Sequence, residues 1–341
     1  QAFIHSCFSR SNNHSPALFE MNTGLSRMGF PCVGSWMAYG LGAQNANLPG
    51  FLVMTDAKGR GLPKNQAQNW GAGFLPGIYQ GTRIQSNGSP IDNLSSSAGL
   101  TRDRQRRLLD MVNKFNGVHL ERFKGQVELS ARIEALELAF RMQMQVPEIV
   151  NIDKETERTK AMYGIGEDPT DNFARRCLLA RKLVEKGVRF VQLYASTWDS
   201  HDYIAKAHAS RIHNVDQPIA ALIKDLKERG LFDETLIIIG GEFGRTPDNN
   251  RRGGVYALGR GHNIDAMTMM LAGGGVKRGA IVGATDDIGS KATEIVHPIR
   301  DLHVTILHLL GLDDNKLTYF HGGRYKQLSQ FGGQVIKDII S

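Results

Sequence analysis

The residues of this chain that could do metal chemistry fall in three short clusters. Trp198-Asp199-Ser200-His201-Asp202 follows a mostly apolar run, Gly241-Glu242-Phe243-Gly244-Arg245 follows Leu236-Ile237-Ile238-Ile239, and Gly259-Arg260-Gly261-His262-Asn263 comes next. A carboxylate and an imidazole two residues apart, as in Asp199 and His201, can converge on one ion, and zinc accepts such mixed oxygen and nitrogen sets. The same pair also reads as a capping aspartate beside a surface histidine. Glu242 ends an apolar strand, where an unpaired charge is costly. Its partner is either Arg245, which makes the pair structural, or a metal ion, which frees the planar fork of Arg245 to hold a substrate oxyanion. His262 follows Gly259 and Gly261 in a loop, where backbone could approach an ion closely, though a lone loop histidine also reads as simply exposed. His208 and His213, and likewise His303 and His308, are five residues apart, a spacing that does not share a helix face. They read as surface or packing residues.

These clusters need strands to carry them. An amphipathic helix over 171–187 closes at Gly187 and feeds a strand over 188–194. A second helix over 204–229 closes at Gly230 and feeds a strand over 235–239, which together read as βαβ units of a buried parallel sheet. Carboxylates and imidazoles just past the carboxyl ends of such strands are where open α/β sheets build active sites. A third strand covers 267–272 and a late helix 301–310. Earlier, Ala2-Phe3-Ile4-His5-Ser6 is strand-like, Ser11 to Pro16 opens a helix that stops at Gly24, and a second helix covers 34–40. A strand covers 51–54. Residues 57–100 form a loop-rich excursion within a single domain over 1–341, and a segment of that kind is either a functional loop or surface packing. Helices follow over 102–115 and 126–144, the second with Leu129, Ile133, Leu136 and Phe140 as its core stripe.

The 341 residues are 41% hydrophobic and 22% charged, an ordinary globular composition with length enough for a large core. A net charge of +7 favours anionic substrates such as phosphate or sulfate esters. The densest basic run, Arg102 to Arg107, is broken by Asp103 and reads as a solvated helix face, so no nucleic-acid partner is expected. Cys7, Cys32 and Cys177 have neither zinc-knuckle nor disulfide-framework spacing. No apolar stretch is long enough for a spanning helix. The start at Gln1, directly in a strand and with no signal segment, reads as a processed or truncated product.

Met21-Asn22-Thr23-Gly24, Gly34-Ser35-Trp36, Leu48-Pro49-Gly50-Phe51, Gly73-Phe74-Leu75-Pro76, Gln80-Gly81-Thr82, Trp198 to His201, Gly241 to Pro247, Gly283-Ala284-Thr285-Asp286 and Leu317-Thr318-Tyr319 run in order through the chain. On these motifs it resembles the bacterial family catalogued as domain of unknown function 1501, a branch of the alkaline-phosphatase and sulfatase superfamily. The resemblance implies a doubly wound, mostly parallel sheet flanked by helices, without the superfamily's first strand, which would lie before Gln1. It implies Asp199, His201 and His262 on one metal and Glu242 holding or bridging a second. His14 falls at the nucleophile position, where it either ligates the metal or acts as a nucleophile through its imidazole, with Ser11 and Ser15 as nearby hydroxyls, and Arg245 clamps the anion. Phe243 stands where the superfamily has a histidine, and Gly261 where relatives have an aspartate. The implied activity is metal-dependent hydrolysis of phosphate or sulfate esters, of small molecules or polymers. Zinc is the first choice of ion, with calcium, magnesium and manganese open. The rival is a non-catalytic binding or assembly protein on the same scaffold. Relatives carry an export signal, so a periplasmic or envelope location is expected.

Overall fold

A computed structural model describes residues 1–56, 63–85, 100–123, 127–252 and 255–341. Strand β1 (Ala2–Phe8) leads to Asn13, whose side chain accepts from the Ser15 amide and caps helix α1 (His14–Thr23). Gly24, at φ 78°, closes that helix in the left-handed conformation that glycine adopts without steric cost. Helix α2 (Val33–Leu41) precedes strand β2 (Phe51–Met54), buried throughout as its unbroken apolar run requires. The expected excursion at 57–100 lies partly outside the described residues. Its described part carries strand β3 (Thr82–Ile84) and buries Trp70, Leu75 and Ile84, so it belongs to the core.

Helices α3 (Arg102–Arg122) and α4 (Val127–Val150) pack on each other and run further than their sequence signals. The core face of α4 also differs from the expected stripe: Ala131, Met142, Val146 and Ile149 are buried while Leu136 is 40% exposed. The carboxyl-terminal half of α4, not its middle, meets the body of the protein. Helix α5 (Glu157–Tyr163) and helix α6 (Asp171–Glu185) precede strand β4 (Phe190–Leu193), and helix α7 (Ile204–Glu228) precedes strand β5 (Ile237–Ile239). A hairpin of β6 (Gly244–Arg252) and β7 (Val255–Asn263) leads to β8 (Met267–Ala272). Short strands β9 (Ile281–Val282), β10 (Ala284–Thr285), β11 (Ala292–Glu294) and β12 (His297–Pro298), helix α8 (Ile299–Leu309), and the β13 (Tyr319–His321) and β14 (Arg324–Lys326) hairpin complete the described chain.

The architecture is mixed α/β. Strands β3, β2 and β4 form a wholly parallel sheet. A second, five-stranded sheet has the order β12-β1-β8-β5, with β9 also on β1. In it β12 and β9 pair parallel with β1, but β8 pairs antiparallel with both β1 and β5. One mostly parallel sheet was expected; the strands instead divide between two. The chain returns from β5 to β8 through a hairpin and no crossover helix, and such a connection delivers a strand antiparallel. One apolar core lies between β1, β8, α2 and α8, and another between α4, α6, α7 and the parallel sheet. All three cysteines are buried free thiols, and burial pushes Cys7 and Cys177 up to about 12 and Cys32 up to about 11.

Candidate metal centre

Three strand ends and one helix start meet at an open cleft of about 320 Å³ lined by Asn12, Asn13, His14, Lys64, Asp199, His201 and His262. β4 delivers the 198–202 segment through Thr197, whose φ of 71° is an unusual conformation for a β-branched residue. β5 delivers Glu242, and the cap at Asn13 sets His14 as the first residue of α1. His262 stands in β7 rather than in the expected loop, and the hairpin register places it directly opposite Arg245. The nearby glycine has a different use from the one its flanking position suggested. A Cβ on Gly259 would collide with the His201 carbonyl, and only its absence lets β7 run against the 200–203 segment, where the Arg260 amide donates to Ser200 O over 3.2 Å.

Asp199 is the hub. Its Oδ1 lies 2.9 Å from His201 Nε2 and 3.0 Å from His262 Nε2, and its Oδ2 lies 3.2 Å from His14 Nε2. Arg245 Nη2 donates to the same Oδ1 over 2.9 Å and to Trp198 O over 3.1 Å. Burial opposes ionisation of Asp199, but the hydrogen bonds from His262 and Arg245 and the charges of His14 and His201 outweigh it, holding the carboxyl below the usual range. On the far side, His14 Nδ1 sits 2.8 Å from Glu242 Oε1 and His262 Nδ1 sits 2.6 Å from Asn12 O. The hydrogen bond to Glu242 raises the His14 pKa; burial works against it, and the charges of Glu242 and Asp199 add to the rise.

An imidazole whose Nδ1–H is donated to a carboxylate or carbonyl presents the lone pair of Nε2, the arrangement that orients histidine ligands around metals. His14 and His262 both have that acceptor on Nδ1, and a bound ion would take the place of the Nε2 proton that faces Asp199. One ligand atom each from His14, Asp199 and His262 lies within 4.8 Å of the others. His262 Nε2 lies 3.0 Å from Asp199 Oδ1 and His14 Nε2 lies 3.2 Å from Oδ2, each close to the roughly 3.3 Å edge of a tetrahedron with zinc bonds of about 2.0–2.1 Å, on different oxygens of the one carboxylate. The donor set therefore fits a divalent ion.

The expected site residues take up different places around the cleft. Asp199, His201 and His262 do come together, but His201 sits on Asp199 Oδ1 outside the three-residue group, and Glu242 stands behind His14 and outside it as well. His14 joins that group, the ligand alternative of the two roles its position allowed. Arg245 pairs with Asp199, neither with Glu242 nor with open space. Ser11 and Ser15 are absent from the cleft lining. Phe243 stacks its ring on His262 at 4.2 Å and also packs against the His14 ring, behind the cleft lining. Sequence reasoning missed Asn12, Lys64 and His208, whose Nε2 lies 3.0 Å from Trp198 O and steadies the loop. An Asn-Asn pair before a helix start was a usable sign of the first; nothing marked Lys64.

The family model described as "Protein of unknown function (DUF1501)" matches residues 1–340. Among curated proteins none matches the chain. It is similar to the crystal structure of Ps i-CgsB, with 11% identity and a TM-score of 0.41, covering 92% of this chain and 64% of that one. The crystal structure of Ps i-CgsB in complex with k-i-k-neocarrahexaose gives the same figures, 11% identity, TM-score 0.41, and 92% and 64% coverage. The chain thus spans less than two thirds of the length of these structures.

Proposed function

The chain belongs to the DUF1501 family, and we propose that it is a metal-dependent hydrolase of phosphate or sulfate esters, of the alkaline-phosphatase and sulfatase kind. The observation that supports this most is that one ligand atom each from His14, Asp199 and His262 lies within 4.8 Å of the others, with both Nε2 atoms facing Asp199 and an acceptor on each Nδ1. His14, Asp199 and His262 would hold the ion, with His201 beside them on Asp199 Oδ1. Zinc suits the nitrogen-rich set; calcium, magnesium and manganese favour more oxygen than these residues offer. A bound ion of this type supplies Lewis acidity toward an ester oxygen and lowers the pKa of a coordinated water.

The chain's own residues divide the remaining work. Glu242 fixes the tautomer of His14 and Asn12 O that of His262. Arg245, spending its donors on Asp199, Trp198 O and Arg260 O, positions the aspartate. Lys64 reaches the cleft lining and supplies positive charge for an anionic substrate.

The test is zinc content of the purified chain together with turnover of aryl phosphate and aryl sulfate, before and after chelation. The expected result is about one equivalent of zinc for a three-ligand site, turnover lost on chelation, and turnover reduced about 10–100-fold by Glu242→Ala, the range for removing a group that orients a ligand. Turnover that ignores both treatments would rule the reading out. A second reading, a non-catalytic binding protein, is favoured by one observation: no hydroxyl or thiol nucleophile is among the residues lining the cleft. Zinc retained with no turnover of either substrate is the outcome that supports it.

A further inference from the structure

Helix α3 stands apart from the cleft and carries two different faces. Leu109, Asn113, Asn116 and Leu120 are half-buried on the side that meets α4, and no residue of α3 is fully buried. A second apolar face looks outward: Leu108, Met111, Val112, Phe115 and Val118 are 49%, 55%, 43%, 64% and 54% exposed. Arg104, Leu108, Met111, Phe115, Val118 and Arg122 recur in alternating steps of four and three residues, so they form one stripe along the helix. The stripe begins and ends in arginine. Arg107 and Lys114 run along one edge of it at the same spacing.

The charges on this edge are mixed, since Asp103, Asp110 and Glu121 flank Arg107 and Lys114, and basic residues outnumber acidic ones along the helix. Arg106 is taken up by Asp110 and Glu137, and Arg102 lies over the Phe140 ring, all away from the stripe. Arg104, Arg107, Lys114 and Arg122 make no ion pair among the described residues. An outward apolar stripe with unpaired cations at its ends and along its edge is what an interfacial helix presents to an anionic bilayer, burying its apolar side chains while long basic side chains reach back to the headgroups. A second copy of α3 fits worse. Parallel pairing sets Arg107 against Arg107 and Lys114 against Lys114, and antiparallel pairing about Asn113 sets Arg104 against Arg122.

From the exposed stripe and its unpaired cations we infer that α3 docks the protein on anionic membrane surfaces, lying in the interface rather than crossing it. No described helix is long and apolar enough to cross a membrane. The inference stands independently of the ester-hydrolysis reading.

The experiment is co-sedimentation of the full chain with phosphatidylcholine vesicles, with and without phosphatidylglycerol, and tryptophan emission of a Phe115→Trp variant. The expected result is at least about tenfold stronger partitioning onto the anionic vesicles, weakened by salt, with a blue shift at position 115. Phe115→Asp, at an exposed position where folding is spared, should reduce partitioning about tenfold, and joint Arg104→Gln, Arg107→Gln and Lys114→Gln should remove the anionic preference. Arg324→Gln, on exposed β14, is the control for mere positive charge and should leave binding unchanged. No binding to either vesicle, equal loss with Arg324→Gln, or no effect of Phe115→Asp would each overturn the inference. So would a chain that dimerises in sedimentation, or takes an acidic amphipathic peptide, while leaving vesicles untouched.

Discussion

Glu242 Oε1 lies 2.8 Å from His14 Nδ1, and that single contact decides which nitrogen of His14 faces Asp199. Residues far apart in the chain are joined by it: the first residue of a helix and a carboxylate just beyond a strand. Without Glu242 the ring could turn or change tautomer. Glu242→Gln should therefore weaken zinc binding about 10–100-fold while leaving the fold intact. Competition against a chromogenic chelator measures this, and an unchanged affinity would remove Glu242 from the account.

Arg245 separates two views of the site. If it clamps substrate, Arg245→Met should raise KM for anionic esters. If it positions Asp199, as its contacts with Asp199 Oδ1, Trp198 O and Arg260 O indicate, the same change should instead lower stability by about 1.5–3 kcal/mol, the range for hydrogen bonds to charged groups. Urea unfolding monitored with and without zinc distinguishes them. We expect the stability loss, with KM changed less than kcat.

Gly259 holds no ligand, yet the site depends on it. A methyl group there meets the His201 carbonyl, so Gly259→Ala must push β7 away from the 198–202 segment. The cost should be about 1–3 kcal/mol of stability, as for overpacking elsewhere, together with loss of zinc binding. Retention of full zinc affinity in this variant would show that the two segments move independently.

The pH dependence has a definite sign. Asp199 is held below its ordinary value of 3.8, so its stabilising contribution is complete above that pH and lost as pH falls through the lower folded value. His14 is raised above 6.5, so its contribution is complete below 6.5 and lost as pH rises through the folded value. The zinc-free chain should therefore lose stability from this site on both the acid and the alkaline side. Zinc needs the neutral imidazole, so its stabilisation should increase from about pH 6 to 8. Thermal unfolding with and without zinc across that range checks it; a zinc shift that shrinks toward pH 8 would be inconsistent with His14 as a ligand.

Much of the scaffold was legible because its signals are local. Gly24, Gly187 and Gly230 mark helix ends, and the apolar runs at 51–54 and 267–272 are strands with those bounds. Asp199 and Glu242 stood out as polar groups following apolar runs, and His262 as a histidine in a glycine-flanked segment. What stayed hidden depends on pairing. The polar run at 244–252 shows no alternation, so nothing in it reveals a strand that sets Arg245 opposite His262. The antiparallel entry of β8 between β1 and β5 leaves no local mark either. The stripe on α4 misled for a related reason: helical spacing shows that a face exists, and the neighbours decide how far along the helix it is covered.

The most direct measurement is zinc anomalous scattering from crystals of the zinc-loaded chain. The account predicts one peak bonded to His14 Nε2, His262 Nε2 and an Asp199 oxygen at about 2.0–2.2 Å, with Glu242 still on His14 Nδ1. A peak bonded to other residues, or no peak while His14 and His262 still face Asp199, would contradict it.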